Sequence, residues 1–135
     1  MEVYEFMVPG RPASVHEKNR AKFRKWIGDL VRAASAASPG YMPFEYSFAR
    51  LTIVFLCAEK DRVDVDNVIK PIQNALERVY YGNDEMVSDV DAHRRFWTDD
   101  LERQRLPGLL KQAWKKGRDC LYVRIQDAQR LEKLL

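Results

Sequence analysis

The clearest rhythm in the chain lies at residues 49–57, where Leu51, Ile53, Phe55 and Cys57 face one way and Thr52, Val54 and Leu56 the other. Both faces are largely apolar, which predicts an interior strand. A shorter apolar run at residues 3–9 closes on Pro9-Gly10 and predicts a first strand. Residues 86–97 read as a further strand. Residues 120–125 read as the last, with Leu121, Val123 and Ile125 on one face. Helical spacing fills the intervals. After Ser14, the residues Phe23, Ile27, Leu30, Val31 and Ala34 share a face, and Ser38-Pro39-Gly40 ends the pattern. Ser14 and Glu17 have the spacing of a capping box. Ile69, Ile72, Leu76, Val79 and Tyr80 predict a second helix running to about residue 80. Pro71 leaves its start open: the regular helix begins near Pro71, or residues 66–70 form a first turn kinked there. A short helix is predicted at 109–116, and a helical tail from 128. The order β-α-β-α-β-(α)-β predicts one α/β (α+β) domain over residues 1–135, a mixed four-stranded sheet with helices packed on it.

Composition agrees with one such domain. The chain has 135 residues, with 46% hydrophobic and 32% charged, enough apolar material to exclude wholesale disorder. No apolar run approaches the roughly 20 residues of a membrane-spanning helix, so no membrane partner is expected. Acids in Met1-Glu2-Val3-Tyr4-Glu5-Phe6 stand where a signal peptide carries basic residues, which predicts a cytoplasmic location. Cys57 and Cys120 are then expected to be reduced and buried, and they cannot alone furnish a cysteine zinc site.

The formal net charge of +3 conceals a division of charge. Residues 11–32 hold seven Lys/Arg against two Asp/Glu, a local +5. Residues 59–91 hold four against nine, a local −5, and residues 94–118 hold eight against three, again +5. Basic stretches suit a polyanion, because Lys and Arg replace its condensed counterions. The acidic stretch between them would repel the same ligand unless divalent cations neutralised it. The alternative is ordinary solvated surface.

The candidate chemistry lies within residues 64–84. Asp64 and Asp66 are two apart, which places both carboxylates on one side of an extended chain. Close carboxylates repel, and hard divalent cations relieve the repulsion. Lys70 lies four beyond Asp66, on the same face if the turn is helical. Asp84 and Glu85 follow the helix, where the next strand could return one of them to the same place. Three carboxylates and a lysine beside basic flanks suit metal-assisted phosphodiester hydrolysis, in which the ions activate a water and the lysine offsets charge on the phosphate. A structural reading stands beside this one: Asp66 or Asn67 caps the helix, and Lys70 pairs with Asp66 at the surface. Phe96, Trp97 and Trp114 near basic residues suit base stacking or, more commonly, core packing. His16 and His93 are isolated, with His93 beside Asp91 and Arg94.

The run Asp64-Val65-Asp66-Asn67-Val68-Ile69-Lys70, followed by Asn74-Ala75-Leu76 and then Asn83-Asp84-Glu85-Met86-Val87, resembles the RusA family of Holliday junction resolvases. The strong part covers residues 62–87, and Pro12-Ala13-Ser14-Val15 resembles the family's N-terminal proline/serine segment. The resemblance implies metal binding by Asp64, Asp66 and Asp84 and a catalytic role for Lys70, with Asn67 and Asn83 supporting. It implies Mg²⁺ or Mn²⁺ as cofactor, a homodimer, and paired symmetric nicks in four-way DNA junctions, in a family common on phages and prophages. Asn83 departs from it, standing where an acid is frequent, and residues 98–117 form a longer, basic connection. Arg11, Lys18, Arg20, Lys22, Arg24, Lys25, Arg94 and Arg95 are the candidate DNA contacts. The alternatives are a non-catalytic binder of branched DNA and a metal nuclease acting on flaps or forks.

Overall fold

The computed structural model describes residues 2–58, 64–99 and 103–135, with the backbone alone at Arg103. Four strands, β1 (Val3–Pro9), β2 (Ala49–Cys57), β3 (Val87–Phe96) and β4 (Cys120–Asp127), form one mixed sheet in the order β1-β4-β2-β3. β4 runs antiparallel to both β1 and β2, and β2 runs parallel to β3. The helices are α1 (Arg20–Ala37), α2 (Asp66–Leu76), α3 (Gly108–Lys116) and a short α4 (Leu131–Leu134). The expected mixed α+β domain is therefore present. β2 lies inside the sheet with its predicted boundaries.

Helices cover both faces of the sheet. α1 and α2 pack on the face carrying Phe6, Val8, Leu51, Ile53, Phe55, Val123 and Ile125. α3 packs on the other, where Leu110, Ala113 and Trp114 meet Leu56, Cys120 and Tyr122. A strand covered on both faces needs apolar residues at consecutive positions, which is why β2 reads as a continuous run. The parallel pair β2–β3 requires a crossover, and α2 supplies it. Cys57 and Cys120 are buried thiols on opposite faces. Trp114 is buried and Trp97 packs edge-on against it at 5.9 Å, so these aromatics serve the core. Phe96 likewise packs against the α1/α2 face.

Three sequence expectations change. Ser14 and Glu17 do not form a capping box: the Ser14 hydroxyl accepts from the His16 N–H at 3.1 Å, and α1 starts later, where the Asn19 side chain accepts from the Lys22 N–H at 3.1 Å. Trp26 joins Leu30 and Ala34 as the buried face of α1, while Phe23, Ile27 and Val31 are half-buried. α2 stops at Leu76 rather than near residue 80. Arg78 adopts φ 71°, a left-handed conformation that ends helical geometry. Val79 and Tyr80 thus belong to the following turn. Tyr80 and Tyr81 are nonetheless fully buried, and the Tyr80 hydroxyl donates to the Ala34 carbonyl at 3.0 Å, tying the turn to α1. No described helix is long and apolar enough to cross a membrane.

Candidate active site

The acidic motif occupies the start of α2, reached from the end of β2. Arg62 and Val63, which lead into it, lie outside the described residues. Residues 66–70 are helical, so Pro71 sits inside α2. A proline there lacks the N–H that would bond the carbonyl four residues back. That carbonyl belongs to Asn67, and it accepts instead from the Val15 N–H at 2.9 Å. The proline in the motif helix thereby creates the attachment point for the N-terminal segment. Pro12 and Ala13 are buried beneath it. The Pro-Ala-Ser-Val segment is held against the start of α2 although more than 50 residues separate them in sequence.

Neither Asp66 nor Asn67 caps the helix. The capping position is Val65, with no side-chain hydrogen bond, and Asp66 is the first helical residue. Its charge is favoured there by the helix dipole. Asp64 and Asp66 are both exposed, and among the described residues neither side chain has a hydrogen-bond or ion-pair partner. Lys70 does not pair with Asp66. Its ammonium contacts Asp84 Oδ2, 14 residues on, with the lysine side chain 58% exposed and the aspartate 27%. The crossover therefore brings together two of the four predicted residues. Asp66 stands one turn before Lys70 on the same helix.

Asp84 is held from several directions. Its N–H donates to Glu77 Oε1 at 3.2 Å, and the Asn83 side chain accepts from the Glu85 N–H at 2.9 Å, closing the short turn Asp84–Met86 that leads into β3. Asn83, the departure from the resembled motif, serves as the cap of this turn. Beneath them Tyr81 donates to the Gln73 carbonyl at 2.6 Å, one of the carbonyls left over at the helix end. Burial pushes the Tyr81 hydroxyl pKa well up, and the nearby Glu77 and Asp84 carboxylates add to it. The tyrosine stays neutral and acts as a fixed support. Glu77 and Tyr81 were missed from sequence. Position 77 is one helical turn-pair beyond Lys70 at i+7, a spacing that points to the same face.

The donor set is right in kind for a hard divalent cation: carboxylate oxygens from Asp64, Asp66 and Asp84. Among the described residues no three His, Cys, Asp or Glu side chains converge as a ready set of ligands, and Lys70 engages Asp84.

The basic candidates divide into two groups. Arg11, Lys18, Arg20, Lys22, Arg24 and Lys25 are exposed along the N-terminal segment and the first turns of α1. The Val15–Asn67 bond sets that segment beside the acidic helix start. Arg20 lies over the Phe23 ring at 4.5 Å, and Lys25 pairs with Asp29 at 3.2 Å. Arg94 and Arg95 occupy the end of edge strand β3 and alternate between its faces. Arg94 sits over Phe96 on the α1/α2 face, while Arg95 lies with His93 on the α3 face. Arg95 is therefore separated by the sheet from the acidic motif. No protein-family description and no curated protein matches the chain, so the family resemblance rests on the motif residues.

Proposed function

We propose that this chain is a metal-dependent endodeoxyribonuclease of the RusA kind, acting on four-way DNA junctions as a cytoplasmic homodimer. The observation that carries the reading is the Lys70–Asp84 contact, which joins the two halves of the motif across the β2–α2–β3 crossover. Neither Asp66 nor Asn67 is used as a helix cap. An exposed or half-exposed ion pair contributes only about 0–1 kcal/mol to stability. Exposed acids without side-chain partners, and a lysine paired with Asp84 in a solvated contact, are poorly explained as stabilising features.

Asp64, Asp66 and Asp84 would hold Mg²⁺ or Mn²⁺, which supplies water activation and neutralisation of the developing charge. Lys70 offers a second positive charge to the phosphate, from a helix whose other side is locked into the core by Val68, Ile72 and Leu76. Asn67 ties down the N-terminal segment through its backbone, and Asn83 shapes the turn that presents Asp84. The basic residues from Arg11 to Lys25 would contact the DNA backbone beside the site. A two-fold dimer would present two such sites to a roughly two-fold junction, one for each nick.

The test is to incubate the protein with four-way, forked and linear DNA, with and without Mg²⁺. Paired nicks in the four-way substrate alone support the proposal. Preferred cutting of forks or flaps assigns another structure-selective nuclease, and binding without cleavage in Mg²⁺ and Mn²⁺ assigns a non-catalytic binder.

A further inference from the structure

A second cleft lies on the opposite face of the sheet from the acidic motif. It has a volume of about 260 Å³ and runs between α3 and the adjoining ends of β1 and β4. Leu109, Gln112, Ala113 and Lys116 line it from one face of α3, at the i, i+3, i+4 and i+7 positions. Met7 and Cys120 contribute to its apolar floor. Burial, reinforced by the Asp119 carboxylate, pushes the Cys120 thiol up to about 12, so this sulfur is neutral at ordinary pH. Asp119 itself is engaged: one carboxylate oxygen accepts from the Ala58 N–H at 3.3 Å.

The mouth of the cleft carries two cations, with the Asp119 carboxylate beside them and held by the Ala58 N–H. Gly117, at φ 63°, ends α3 in the left-handed conformation, and the exposed Lys116 and Arg118 flank that turn. Among the described residues neither has an ion-pair partner, whereas Lys25, Arg32, Arg50, Lys70 and Arg130 are each paired. Two unpaired cations beside an apolar floor complement a ligand with an apolar body and an anionic group. The volume falls below the roughly 300–1,000 Å³ of pockets for drug-sized ligands, which favours an occupant built around a single ring system. Gln112 at the rim offers both a donor and an acceptor, the combination that reads the edge of a base. The Met7 thioether suits contact with an aromatic ring.

We propose that this cleft takes an unpaired nucleotide, with its base on the Met7–Ala113 floor and its phosphates on Lys116 and Arg118. The choice of a DNA strand over a free nucleotide rests on the nuclease reading; the cleft chemistry stands without it. An endonuclease for branched DNA would thereby hold an unpaired base at a place distinct from the cutting site.

The experiment uses a single-stranded oligonucleotide containing 2-aminopurine, in EDTA so that cleavage plays no part. With the wild-type protein, fluorescence rises as the base leaves its stack. The double variant Lys116→Ala/Arg118→Ala, altered only at exposed positions, binds about tenfold more weakly, and its salt slope falls by about 1.4, as expected for the loss of two phosphate contacts. Gln112→Glu reduces the fluorescence rise. A parallel titration with dAMP distinguishes the sources: weak competition indicates a strand, and affinity equal to that of the oligonucleotide indicates a free nucleotide in the same cleft. Unchanged binding in the double variant overturns the proposal, as does weakened binding with no 2-aminopurine response in the wild type. The readings are taken without divalent cation, so they do not depend on chemistry at the acidic site. Loss of cleavage activity therefore bears on the acidic site, and loss of the 2-aminopurine response on this cleft.

Discussion

α1 and α2 lie side by side on one face of the sheet, yet they are built on opposite plans. α1 has 18 residues, a side-chain cap from Asn19, no proline, and a face of Trp26, Leu30 and Ala34 directed to the core. Its cap and its buried face follow local helix preference, although Gly28 in its interior does not. α2 has 11 residues, no side-chain cap and a proline in its interior. It is a helix because Val68, Pro71, Ile72, Ala75 and Leu76 are buried against the sheet and α1. Departures from local preference concentrate where the candidate chemistry lies, as expected when a segment serves more than stability.

The contrast predicts where each helix is vulnerable. The largest effect is expected for Ile72→Ala, which empties a fully buried position in α2 and should cost about 2–5 kcal/mol in denaturant unfolding. Asn19→Ala should cost about 1 kcal/mol in the same assay, because it removes only a cap from α1. A proline-free α2 sharpens the comparison differently. In Pro71→Ala the restored N–H can bond the Asn67 carbonyl within the helix and compete with Val15. The Val15 amide should then exchange its hydrogen faster while amides in β2 are unaffected; unchanged exchange at Val15 would show that the segment is held by other contacts. The smallest stability effect is expected for Lys70→Met, less than about 1 kcal/mol, because the Lys70–Asp84 pair is largely solvated. A larger loss would assign the pair to structure rather than to chemistry.

Much of this architecture was legible in the residues. β2 carries apolar side chains on both faces, so its interior place followed from the run itself, and Ser38-Pro39-Gly40 marked the end of α1. The end of α2 was not legible. Val79 and Tyr80 continue its apolar spacing, but they reach the core through a turn in which Arg78 is left-handed, a conformation no periodicity reveals. The α1 cap was misread because Ser14 and Glu17 have the spacing of a capping box, while a separate bend intervenes before Asn19. At the site, Asp64, Asp66, Lys70 and Asp84 stood out by type and spacing, but the partner of Lys70 did not. Local geometry favoured Asp66, and the crossover supplied Asp84 instead. The place of Pro71 stayed open in the sequence, and the donor to the Asn67 carbonyl, Val15, is set by a contact between segments distant in sequence.

The central claim is that Asp66 at the start of α2, with Asp64 and Asp84, serves phosphodiester cleavage. It is tested most directly by comparing wild type with Asp66→Asn on one four-way junction, measuring nicking in Mg²⁺ and binding in EDTA. The account predicts that the variant binds the junction as the wild type does and that its Mg²⁺-dependent nicking falls to the metal-free background. A variant that nicks at the wild-type rate would contradict it.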